Sequence, residues 1–214
     1  MKLIEKPCDL KAVLQDLQSI IESKIHEKQI VYEQDIRLVH DWFICDSLRI
    51  NQVLVNFLSN AVKYSDVKGH VKLTVIETPE ADEKSELYFE VKDNGIGIAV
   101  ENQKLIFQRF EQADDSENAR KQGTGLGLAI SSRLVHMMDS EIQLESSPNK
   151  GSTFSFVLRL SRLSDQKDKE TGKNLSVELS GKRVLIAEDN ELNMEIIKTI
   201  LENEGMLVDE AHNG

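Results

Sequence analysis

Hydrophobic and polar positions recur along this chain with two different periods. Leu10, Val13, Leu14, Leu17, Ile20, Ile21 and Ile25 fall three and four residues apart, which predicts an amphipathic helix over 10–26 opened by Asp9 as its N-cap. Two short β-branched or aromatic runs follow, Ile30 to Tyr32 and Val39 to Ile44. A second helix is expected to begin after Asp46 or Ser47, within RINQVLVNFLSNAVKY. Ile50, Val53, Leu54, Phe57, Leu58 and Ala61 make most of that cylinder apolar, while Arg49, Gln52, Asn56, Asn60 and Lys63 fall within an arc of roughly 80°. Two asparagines one turn apart are costly to bury unpaired, so the stripe predicts a polar ligand against this helix.

Gly69 starts two alternating segments, Val71 to Thr78 and Leu87 to Lys92, which read as paired strands joined by a charged turn holding Pro79. Beyond the Asp93 to Gly97 loop comes a short helix around Val100 to Phe107, then a polar stretch from Glu111 to Gln122 without periodicity. Gly127 to Met138 reads as a helix, and Ile142 to Ser146 and Thr153 to Leu160 as strands around the turn Pro148-Asn149-Lys150-Gly151. Strands gathered around two or three long helices predict an α/β two-layer sandwich, a mixed sheet with helices on one face. Residues 161–180 turn to Ser, Asp, Lys, Glu and Gly and read as a linker between a domain over 1–160 and a smaller piece over 181–214. In that piece Lys182 to Ala187 is an apolar strand closed by Glu188-Asp189, Leu192 to Glu204 a helix, and Met206 to Val208 the start of another strand.

Composition narrows the classes. With 214 residues, 40% hydrophobic and 29% charged, the chain has the makeup of an ordinary globular protein able to bury a core. A formal net charge of −11 argues against a general binder of nucleic acid or of an anionic membrane. Cys8 and Cys45 form no C-x-x-C, so neither a zinc site nor a disulfide framework is expected, and a reducing, cytoplasmic setting fits. No apolar run approaches a membrane span and no signal-peptide shape opens the chain, so this segment is expected to make no membrane contact, whether or not a parent protein is membrane-anchored.

Glycine spacing then suggests the ligand. DNGIG at 93–97 and GTGLGLA at 123–129 are loops in which backbone N–H groups can approach an anion with no Cβ in the way, and the helix after the second adds its positive end. Phosphate is the natural guest, although neither string matches the Walker or dinucleotide fingerprint. Taken in order over roughly residues 5–160, NQVLVNFLSNAVKY, DNGIG, IFQRFEQ and GTGLGLAI resemble the N, G1, F and G2 boxes of the catalytic ATP-binding domain of sensor histidine kinases. That domain is part of the GHKL superfamily shared with gyrase, mismatch-repair and chaperone ATPases.

The resemblance implies a Bergerat-type ATP-binding fold that takes ATP or ADP with Mg²⁺. Asn56 would ligate the Mg²⁺, Asn60 and Lys63 would contact phosphates, and Tyr64 would line the nucleotide site, the alternative for Tyr64 being a half-buried helix-end aromatic. Asp93 would accept a hydrogen bond from the adenine amino group in a loop shaped by Gly95 and Gly97. Gly123, Thr124, Gly125, Leu126 and Gly127 would hold phosphate oxygens through backbone N–H groups. Thr153 would lie near the base, or be an ordinary strand threonine. Residues 111–122 correspond to the family's ATP lid, anchored by Phe107 and Phe110. Gln112 stands where many relatives place an Arg, which leaves Arg109, Arg120 and Lys121 as candidates for the γ-phosphate. Gln52 stands where superfamily hydrolases carry a general-base Glu. An amide cannot take a proton from water, so slow hydrolysis and transfer to a protein side chain are expected, with Asn56 and Lys63 as the catalytic candidates.

The acceptor histidine is expected on a dimerisation domain outside this chain, because His26-Glu27 lacks the Arg-Thr-Pro continuation and His40, His70 and His136 carry no partner pattern. From Lys182 onward KRVLIAEDNELN resembles the opening of a response-regulator receiver, an incomplete flavodoxin-like fragment whose Glu188 and Asp189 would hold Mg²⁺ only in an intact receiver. The implied function is the catalytic domain of a hybrid two-component kinase, which transfers the γ-phosphoryl of ATP to that histidine in a phosphorelay, with the phosphoacceptor-His domain and the receiver as partners. A non-catalytic nucleotide-sensing or scaffold module and a GHKL-type ATPase are the alternatives.

Overall fold

A computed structural model of the chain describes residues 2–107, 127–163, 181–187, 201 and 205–211. Its elements run β1 (Lys6–Asp9), α1 (Leu10–Lys28), β2 (Val31–Arg37), β3 (Trp42–Cys45), α2 (Ser47–Tyr64), β4 (His70–Pro79), β5 (Lys84–Asp93), α3 (Gly127–Met137), β6 (Gln143–Ser146), β7 (Ser152–Arg162), β8 (Arg183–Ala187) and β9 (Leu207–Ala211). The chain divides into two compact units, Met1–Lys169 and Glu170–Gly214.

In the first unit seven strands form one mixed sheet in the order β1-β3-β7-β5-β4-β2, with β6 also on β7. Among the described strands of this sheet only the β2–β4 pair is parallel. The three helices cover one face, because the apolar sides of α1, α2 and α3 and the alternate residues Leu73, Val75, Leu87, Phe89, Val91, Phe154, Phe156 and Leu158 share a single core. Phe57 of α2 lies at its centre, with ring centroids 5.2 Å from Phe154 and 6.2 Å from Phe156, and Phe89 stacks on Phe156 at 4.8 Å. The helix starts follow from local chemistry. Asp9 accepts from the Ala12 N–H at 3.0 Å and Asp46 from the Arg49 N–H at 3.2 Å, each relieving a donor that the helix itself leaves unpaired.

The structure departs from the expected elements at four places. The region read as one short helix over Val100 to Phe107 is two 3₁₀ turns, Val100–Asn102 and Leu105–Phe107. Strand β1 was not foreshadowed: Pro7 and Asp9 spoil its pattern, and both are tolerated because β1 is an outer strand paired only with β3. Strand β2 reaches Arg37 although Glu33, Gln34 and Asp35 are polar, because it too lies on an edge with one side toward water. β7 also runs past Leu160, as Ser161 and Arg162 pair with Ile44 and Phe43. Since β6 meets β7 only from Ser152 to Ser155, the stretch Phe156 to Leu160 has no strand on that edge among the described residues.

A buried carboxylate fastens the loop before β3. Glu77 of β4 has no exposed side-chain surface, and accepts from the Val39 and His40 N–H groups at 2.6 and 2.8 Å, from the Ser85 hydroxyl at 2.6 Å and from the His40 ring at 2.6 Å. Burial alone would raise its pKa, but the hydrogen bonds from Ser85, His40 and Val39 outweigh it and hold the carboxyl below the ordinary glutamate value. A depressed folded pKa gives stability that is present above about pH 4.5 and is lost as the pH falls through the folded value. Thermal melts between pH 7 and 3.5 should therefore show a loss that Glu77→Gln removes, the variant being weaker by about 1–3 kcal/mol at pH 7.

In the second unit β8 and β9 pair in parallel, Arg183 opposite Leu207 through Ala187 opposite Ala211. Leu207 N–H also bonds the Lys182 carbonyl at 2.8 Å. The expected strands at 182–187 and from 206 are thus both present within a residue. Glu188 and Asp189, nearly all of the helix expected over 192–204, the segment 164–180, and Arg109, Phe110, Gln112, Arg120, Lys121 and Gly123 to Leu126 lie outside the described residues. No helix among the described residues is long and apolar enough to cross a membrane.

Candidate functional site: the amide stripe and the Asp93 loop

The polar stripe of α2 is not buried under the core. Ile50, Val53, Leu54, Phe57, Leu58, Ala61 and Val62 take the inward side, while Asn56, Asn60 and Lys63 are half-buried and Gln52 is exposed. Asn56 is held from across the domain: its Nδ2 donates to Ser131 Oγ of α3 at 2.8 Å. Among the described residues its Oδ1 accepts only a long contact, from Asn60 Nδ2 at 3.4 Å. Gly127, first residue of α3, presses against that same oxygen, and a Cβ there would fall on it. Ser131 is a partner the sequence analysis missed. Its signal was a hydroxyl three and four residues before the buried pair Leu134 and Val135, hence on the buried face of α3.

Lys63 Nζ bonds the Tyr64 hydroxyl at 3.1 Å and lies 4.7 Å from the ring centroid, so the two side chains close the stripe together. Tyr64 is 46% exposed, which leaves a ring face open to a ligand. Arg49 and Gln52 bond each other at 2.9 Å, on the same stripe one to two turns before Asn56.

The DNGIG loop is stitched to the end of this helix by main chain. Ile96 N–H donates to the Tyr64 carbonyl at 3.2 Å, and a Cβ on Gly95 would collide with that same carbonyl. Gly97 has φ +66°, a left-handed backbone that glycine alone takes without strain. Asp93 closes the loop from beneath. It is 7% exposed, and its Oδ1 accepts from Gly95 N–H at 2.8 Å and from Ser152 N–H at 3.2 Å. Burial raises its pKa above the ordinary aspartate value, and the two backbone donors only partly offset this.

Thr153 does not reach Asp93. It stands opposite Lys92 in the β5–β7 register, and strand alternation puts it on the helix-free face. Ser152 is the residue at Asp93, with its hydroxyl 3.0 Å from Ser146, which also receives the Ile98 N–H at 2.8 Å. The G-S-T-F string offered two adjacent hydroxyls, and the pleat decides which one faces inward.

Among the described residues no three His, Cys, Asp or Glu side chains gather as a metal site. The stripe fits a different cation, a hydrated hard ion that takes one neutral amide oxygen from the protein and the rest from water and an anionic ligand, and Asn56 Oδ1 is such an oxygen. A cavity of about 630 Å³ opens elsewhere in this unit, lined by Cys45, Asp46, Glu86, Met138 and Arg159, and contains no member of the stripe.

A family model described as histidine kinase-, DNA gyrase B-, and HSP90-like ATPase matches residues 45–162, more than half of the chain. The sensor protein GacS of Pseudomonas syringae pv. syringae is 34% identical over 205 residues, which cover 94% of this chain and 22% of that protein. The aerobic respiration control sensor protein ArcB of Escherichia coli K12 is 34% identical over 217 residues, 100% of this chain and 27% of its own length. The chain thus spans about a quarter of the curated relatives it matches. Among solved structures, full-length ShkA in complex with AMPPNP superposes with a TM-score of 0.64 at 26% identity, covering 99% of this chain and 41% of that one. A nucleotide-free catalytic domain of the histidine kinase ThkA shares the fold, with a TM-score of 0.59 at 22% identity over 74% of this chain and 96% of that one.

Proposed function

The chain belongs to the histidine kinase-, DNA gyrase B-, and HSP90-like ATPases, and from that membership we propose that residues 1–160 bind Mg-ATP as the catalytic domain of a hybrid two-component sensor histidine kinase. The observation that carries the reading is the main-chain bond from Ile96 to Tyr64, which sets a buried carboxylate at the end of a stripe of amides and an ammonium. A base acceptor and a phosphate-and-cation surface are thereby adjacent. The names of the relatives, and the AMPPNP held by ShkA, support the same conclusion.

In this reading Asp93 accepts a hydrogen bond from the adenine amino group, which guanine's carbonyl could not donate. Ser152, through its N–H, and Gly95 orient that carboxylate, while Gly97 lets the loop turn. Tyr64 lines the base side of the site. Asn56, steadied by Ser131, offers Oδ1 to Mg²⁺, and Asn60 and Lys63 hold phosphate oxygens. Gly123, Thr124, Gly125, Leu126 and Gly127 would hold phosphate oxygens through their backbone N–H groups. Bound Mg²⁺ neutralises phosphate charge. Since Gln52 is bonded to Arg49 and cannot act as a base, the protein's contribution to transfer is positioning and charge compensation rather than activation of water. The γ-phosphoryl then passes to a histidine on a dimerisation domain of the parent kinase, and the β8–β9 unit is the start of a receiver domain, where Glu188 and Asp189 would hold Mg²⁺ only once that domain is intact.

Titration calorimetry with ADP and Mg²⁺ tests the site. Asn56→Ala should weaken binding about 10- to 100-fold in Mg²⁺ and far less in a chelator, as expected for loss of one hydrogen-bonding or liganding group to a charged partner. Equal affinity before and after the substitution would remove Asn56 from the site.

A further inference from the structure

We propose that Lys28 is a positioning residue of the nucleotide site, acting through the C-terminal end of α2, an inference that rests on the reading of that site given above. A helix ends with four carbonyls that have no partner inside it. In α2 these belong to Ala61, Val62, Lys63 and Tyr64. Ser65 takes the first, through its N–H at 3.0 Å and its hydroxyl at 2.7 Å. Ile96 takes the last. The remaining two go to one side chain from another helix: Lys28 Nζ donates to the carbonyls of Val62 at 3.0 Å, Lys63 at 2.5 Å and Ser65 at 2.9 Å. Three ammonium protons thus meet three oxygens gathered by a single turn.

The backbone secures the same junction. Lys28 is the last residue of α1, and its own carbonyl receives the Lys68 N–H at 2.9 Å. Gln29 follows in the left-handed conformation, φ 54°, and turns the chain into β2, where Val31 N–H bonds the Gly69 carbonyl at 2.8 Å.

The electrostatic consequence concerns the ligand. Carbonyls at a helix C-terminus carry partial negative charge and repel anions. Asn60 and Lys63, the groups read as meeting the polyphosphate, stand on that very end, in a chain of formal net charge −11 that offers little general relief. A cation seated on these oxygens cancels the local negative charge. It also fixes the last turn, so that the Lys63 side chain and the Tyr64 carbonyl keep their places beside the Asp93 loop. Lysine suits the task better than arginine, because a compact tetrahedral ammonium can aim at three converging oxygens and a planar guanidinium cannot.

The test compares ATP with adenosine, which shares the base but has no phosphates. In Mg²⁺, Lys28→Met should weaken ATP binding about tenfold while changing adenosine binding, read by displacement, less than twofold. An unchanged ATP affinity, or equal losses for the two ligands, overturns the proposal, since a merely structural role would not discriminate between them. Should Lys28→Met fail to fold, Lys28→Gln, which keeps two N–H donors without the charge, is read by the same ratio. A parent chain that binds neither ligand overturns the ATP-site reading and this one with it, whereas equal losses overturn this one alone.

Discussion

Asp93→Asn should lower ADP and ATP affinity about 100-fold and yet leave the protein at least as stable as before. The carboxylate is buried and its pKa is raised, so folding favours the protonated form. Its contribution to stability is then present below the ordinary aspartate range and is lost as the pH rises through the folded value. At neutral pH the ionised group is a cost to the fold. Asparagine keeps an oxygen for the Gly95 and Ser152 N–H groups and removes the charge. What it puts in place of the second oxygen is an NH₂, a donor facing the donor of adenine, and losing a charged acceptor while leaving donors unpaired costs about 3 kcal/mol. Calorimetry at pH 7 and a thermal melt check the two halves. Unimpaired binding would exclude Asp93 as the base acceptor, and a fall in melting temperature would show that the carboxylate supports the fold.

Phe57→Ala carries the largest expected effect on stability. The ring is 1% exposed and touches Phe154 and Phe156 from the centre of α2. Its removal costs the transfer of a large aromatic surface plus a cavity that the facing β7 cannot fill, about 3–5 kcal/mol. For a domain of this size the melting temperature should drop by roughly 10 °C. Val67→Ala, at a 65% exposed position, serves as the control and should stay within about 0.5 kcal/mol. A Phe57 variant that melts like the control would mean that the aromatic cluster is not what binds α2 to the sheet.

The sequence made the long periodic elements legible because a single rule governed each. α1 and α2 were readable from apolar spacing and from Asp9 and Asp46, since caps act within one turn. Local rules stopped where tertiary pairing decided. β1, with Pro7 in four residues, is a strand only because β3 lies beside it. The polar middle of β2 is a strand because β4 supplies a parallel ladder. At the site the same division holds. The stripe from Asn56 to Lys63 and the DNGIG loop follow from periodicity and glycine spacing, and Asp93 from the family resemblance that this loop carries. Ser131, Ser152 and Lys28 do not, because each is separated by 34 or more residues from the group it bonds. The choice between Ser152 and Thr153 needed the pleat of β7, a one-residue phase that no string of letters displays.

Among the described residues the carboxylate of Asp93 is steered by amide protons, those of Gly95 and Ser152. Amide protons come with every residue except proline, so side chains around this acceptor can be exchanged over generations without turning it. Choice of nucleobase should therefore outlast sequence drift in the loop as long as its path is kept, and that path is guarded by Gly95, whose Cβ would strike the Tyr64 carbonyl, and by Gly151, whose Cβ would strike the Asp93 carbonyl.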